Sequence, residues 1–183
     1  MGLEKTFREL TMSLHRLSDR LQELQLTVVE DRPAKNDASL VDGFAYAVDD
    51  AIGWLREMQK SAKTAQLSVA YPRDLDQARR ELVNCQEQFK RIERVFSQKL
   101  VSWERMSELS EFANERRGEW RSWVFTVQRG VEHCRQPIEE TSTALASCWE
   151  EIAERVGMTS VTMQTNITPA SVRQIMEEPV EDQ

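Results

Sequence analysis

A chain of 183 residues, 40% apolar and 30% charged, with only 6 Gly and 5 Pro, has room for one domain with a core and favours long solvated helices. That balance excludes collagen-like, disulfide-dense and disordered classes. The longest apolar run, residues 44–48, is far short of the ~20 residues a bilayer span needs.

The 24 basic and 31 acidic side chains are unevenly placed: residues 1–136 carry 22 of each sign, whereas residues 137–183 carry 2 basic and 9 acidic. A nucleic acid or an anionic membrane surface would need a clustered Lys/Arg excess, so neither is expected as a partner. A protein with a basic or apolar groove fits the balance. The N-terminus opens into a charged amphipathic pattern without a signal-peptide apolar core, which predicts a cytoplasmic protein. Cys85, Cys134 and Cys148 form no C-x-x-C pair and fall at apolar repeat positions, as reduced core thiols do.

The first helix, predicted over residues 2–30, carries Leu3, Phe7, Leu10, Leu14, Leu17, Leu21, Leu24 and Val28 in strict +4, +3 alternation. At 3.6 residues per turn this is one narrow apolar stripe, and a sustained heptad repeat implies coiled-coil-like, left-handed packing. Pro33 with Asn36 and Asp37 marks the first break. A second helix over 38–68 alternates small and large residues along Leu40, Phe44, Ala47, Ala51, Trp54, Met58 and Ala62. Its alanines allow close approach by a neighbouring helix.

Pro72 and the capping residue Asp74 open a third helix predicted over 74–114. Its stripe runs Leu82, Cys85, Phe89, Ile92, Phe96, Leu100, and then Trp103, Met106, Leu109 and Phe112. The extra +4 step from Phe96 to Leu100 is a stutter that relaxes the supercoil locally. A turn ending at Gly118 leads to a fourth helix over 119–156, with seam residues Trp120, Val124, Val127, Val131, Cys134, Ile138, Leu145, Cys148 and Ile152. The apolar phase passes through Pro137 without a slip, which predicts one kinked helix, and Gly157 is its stop. The expected fold is therefore all-α: an antiparallel four-helix bundle over 1–157 followed by a tail, 158–183. Long helices bearing tryptophans on a heptad pattern resemble spectrin-type repeats in helical packing. The breaks here do not recur at a fixed period, so the resemblance implies no site residues.

No metal or phosphate motif and no catalytic motif occurs, and no cofactor is expected. His15 and His133 border the buried stripe; a haem or metal held by either is the alternative function. His133 adjoins Cys134, but neighbouring helical residues point about 100° apart and cannot form a dyad. The leading expectation is a non-enzymatic interaction module, a scaffold or adaptor subunit of a larger complex; a non-catalytic subunit of an enzyme complex is a variant of it.

The partner-binding candidates are tryptophans, acidic residues and the tail. Trp120 and Trp123 belong to a helix 3/4 hairpin expected to overhang the bundle by ~15 Å, exposing apolar residues that a homodimer or another protein would cover. Trp123 and Trp149 sit beside the seam, either covered within the bundle or forming a contact face. Glu150, Glu151 and Glu154 lie at the C-terminal end of helix 4, where the macrodipole disfavours acids and a basic partner would reverse the sign. The tail supplies a strand-like alternation through Val161, Met163 and Ile167 and a capped amphipathic turn with Val172, Ile175 and Met176.

Overall fold

The computed structural model describes residues 2–33, 39–70, 74–100 and 118–157, with the side chains of 39–41 left aside. Four helices account for them: α1 (Leu3–Val29), α2 (Ser39–Ser68), α3 (Leu75–Val95) and α4 (Glu119–Val156). They form a four-helix bundle. Arg16 meets Glu140 and Thr27 meets Trp123, so α1 and α4 run antiparallel. Thr11 meets Gln66 and Gln25 meets Asp49, which sets α2 antiparallel to α1. Helix α3 packs on α2, where the Asn84 side-chain amide donates to the Ser61 hydroxyl at 2.7 Å, and also touches α4.

The seam read from α1 is the core of the molecule: all eight of its residues are at most 2% exposed. On α2 the buried stripe passes through Ala51, Leu55 and Met58, while Trp54 is only partly buried against the core. The predicted seam placed Trp54 inside; the smaller Leu55, one position on, takes the central site and leaves the indole on the flank.

The Asp74 carboxylate caps α3 by accepting from the Gln77 N–H at 2.9 Å. At the stutter, residues Phe96–Leu100 form a π-helical turn. A π turn advances each residue through a smaller angle than an α turn, so a +4 step ends nearly above its start. Both Phe96 and Leu100 thereby stay buried. Helix α4 is one element through Pro137, whose own carbonyl accepts from the Thr141 hydroxyl at 2.7 Å. Gly157 closes it in the left-handed region, φ 71° and ψ 19°, with its N–H on the Ala153 carbonyl. No helix among the described residues is long and apolar enough to cross a membrane.

Candidate functional site

The two tryptophans at the start of α4 do not overhang. Trp120 is 8% and Trp123 4% exposed, their rings stack edge-on at 5.4 Å, and Val124 is buried beside them. The reason is register: α1 continues to Val29 and its last turn lies level with Trp123, whose Nε1–H donates to the Thr27 carbonyl at 2.7 Å. Trp149 is buried as well, so the wide apolar face of α4 is covered from within the bundle. The remaining overhang candidates, Met106, Leu109 and Phe112, lie outside the described residues, as do Trp103 and all six tail candidates, Val161, Met163, Ile167, Val172, Ile175 and Met176.

Glu150 and Glu154 are exposed and Glu151 is partly buried, ion-paired to Arg155 at 3.7 Å. Arg155 shares a shallow pocket with Lys5 and Arg8 at the start of α1. Antiparallel packing thus sets the positive end of α1, with Lys5, Arg8 and Glu4, beside Arg155 at the acidic end of α4.

His15 and His133 are both exposed. His133 lines an open groove of about 730 Å³ between α1 and α4, which His15 does not. That groove is rimmed by ion pairs, Arg16–Glu140 at 2.8 Å, Arg20–Glu23 at 2.9 Å and Arg135–Glu132 at 2.7 Å. Among the described residues no group of three His, Cys, Asp or Glu side chains is placed to hold a metal ion. Cys134 is buried while His133 faces solvent. Burial pushes the Cys85 and Cys134 thiols up to about 12, and raises Cys148 as well. All three are protonated at neutral pH, the state of inert core thiols.

A surface that the heptad reading passes over appears where α1 ends. Leu26 and Val29 are about half exposed at 51% and 52%, Phe125 of α4 at 59% and Tyr46 of α2 at 69%. The pairings Gln25–Asp49 and Arg32–Asp42 set Tyr46 level with Val29, and Trp123–Thr27 sets Phe125 level with Leu26. Four large apolar side chains from three helices therefore stay exposed toward one end of the bundle without entering its core. The signal was present in the sequence as apolar residues out of phase with the seam.

No family model, curated protein or solved structure gives a significant match to the chain.

Proposed function

We propose that the protein is a non-enzymatic protein–protein interaction module, a scaffold or adaptor subunit whose rigid bundle presents a docking end to a partner protein. The observation that supports this most directly is the exposure of Leu26, Val29, Tyr46 and Phe125 toward one end of the bundle, while the described seam residues around them are buried. Single exposed apolar residues are ordinary, but four near one level of a bundle offer a partner several apolar anchor points. Tyr and Phe are suited to anchor such a contact, because they bury much area for little lost rotamer freedom. The fitting partner presents an apolar groove. The amphipathic pattern of the tail, residues 158–183, makes a second recognition element of the same kind.

The test compares affinity capture, with identification of bound proteins, by three forms: the full chain, a chain ending at Gly157, and a variant carrying Leu26→Gln, Val29→Gln, Tyr46→Gln and Phe125→Gln. Gln keeps helix propensity and these sites are exposed, so the variant's unfolding midpoint should stay near that of the wild type. A defined partner retained by the wild type and reduced at least tenfold by the quadruple variant supports the docking end. Loss only on removing the tail moves recognition to residues 158–183. Equal capture by all three forms overturns the proposal.

A further inference from the structure

Five of the eight large apolar side chains left exposed among the described residues belong to α1 and α2: Met12, Leu26 and Val29 on the first, Tyr46 and Leu67 on the second. Met12 and Leu26 stand two heptads apart, and Tyr46 and Leu67 three, so each couple shares one stripe of its supercoiled helix. The two stripes open on the same side of the bundle. Thr11 of α1 donates its hydroxyl to Gln66 of α2 at 3.0 Å, and Met12 and Leu67 each follow by one residue. In antiparallel right-handed helices such a step turns both side chains toward the same face. The outer α1–α2 face therefore has two apolar ends. Met12 lies beside Leu67 at one, and Leu26 and Val29 lie beside Tyr46 at the other, where Gln25 bonds Asp49.

Charge fills the middle. Halfway between Met12 and Leu26 stands Asp19, and one heptad before Leu67 stands Lys60, with Arg56 and Lys63 flanking it; all four are exposed. Lys60 holds Glu57 of its own helix at 2.7 Å, which leaves the centre of α2 basic. The face measures about 40 Å along the helices and about 20 Å across two of them, or about 800 Å2. That is the share each partner brings to an interface of standard size.

We propose that this face pairs with the same face of a second copy, about a two-fold axis parallel to the helices. That axis lays α1 of each copy antiparallel on α2 of the other. Met12 then meets Leu67 of the partner subunit, Leu26 and Val29 meet Tyr46 of the partner subunit, and Asp19 meets Lys60 of the partner subunit. The other two-fold, perpendicular to the helices, would lay α1 on α1 and set Asp19 against Asp19 at the centre, where like charges repel. The apolar ends supply affinity and the central charges fix the axis. This inference rests on the reading of Leu26, Val29 and Tyr46 as a docking surface and gives them an occupant, with Phe125 of α4 outside the contact.

Sedimentation equilibrium of the full chain over about 1 to 100 µM tests it. The wild type is expected to pass from monomer to dimer. Met12→Glu combined with Leu67→Glu, at two sites that the partner-capture variant leaves intact, should weaken dimerisation about tenfold or more. Asp19→Lys and Lys60→Asp each set like charges together and should each be monomeric alone. Mixed, they should form a dimer containing one copy of each, because every lysine then meets an aspartate. Unchanged helical circular dichroism shows that these surface variants are folded. A wild type that stays monomeric, an undiminished dimer in the Met12/Leu67 variant, or a mixture no more dimeric than its components overturns the proposal. A failed dimer leaves partner capture to its own test, so the two readings fail separately.

Discussion

Trp123 shows how one side chain can serve two elements. The last four carbonyls of a helix have no partner within it, and Thr27 lies in the last turn of α1. The Trp123 indole N–H supplies the missing donor at 2.7 Å while its rings fill the core. Its heptad position marks the tryptophan as flanking the seam; the carbonyl it meets, 96 residues away in sequence, is fixed only by the register of α1 against α4. Trp123→Phe keeps most of the apolar volume and removes the donor. It should lower stability by about 1–2 kcal/mol, the cost of an unsatisfied carbonyl. Urea unfolding followed by circular dichroism checks this, and an unchanged midpoint would mean that water replaces the indole without loss.

At the scale of helices, glycine separates backbone propensity from packing. Gly53 lies on an exposed face of α2, where an added Cβ would meet nothing within 4 Å. Gly130 lies against α1, where a Cβ would come within 2.9 Å of Leu24 Cδ1. Gly53→Ala should therefore raise stability by about 0.5–1 kcal/mol through the smaller entropy loss of alanine in a helix. Gly130→Val should lower it by about 1–3 kcal/mol, because Leu24 is 1% exposed in the core and has little room to move. Opposite shifts in the denaturant midpoint are the expected outcome; shifts of the same sign would mean that α1 and α4 adjust freely. The four helices were legible because a +4, +3 repeat has one physical solution, an apolar stripe buried against neighbours. The stutter was legible as a change of phase, but its form as a π turn was not: relaxed supercoil and widened turn satisfy the same spacing.

For the whole molecule, the candidate site was less legible than the fold, because exposure depends on where each helix ends relative to its neighbours. The expected overhang assumed helix lengths read one at a time. The last turn of α1 covers Trp123, and the large apolar residues left exposed among the described ones are out-of-phase residues scattered over all four helices, with Leu26, Val29, Tyr46 and Phe125 toward one end. Charge distribution has a similar global consequence. The described carboxylates are mostly on solvated faces, whereas Glu93 is buried and raised to about 7 by desolvation, with Lys90 opposing. The folded protein therefore holds a proton that the unfolded chain, with an ordinary carboxyl near 4.5, releases sooner. Its contribution to stability is complete below the unfolded value and is lost as pH rises through the folded one. Between pH 5 and 7 the wild type should lose on the order of 1.4 kcal/mol per pH unit relative to Glu93→Gln, with no further divergence above about 8. Urea titrations of both proteins at pH 5, 6, 7 and 8 measure the difference directly. Parallel curves would show that Glu93 is already ionised in the folded bundle, with the seam hydrated around it.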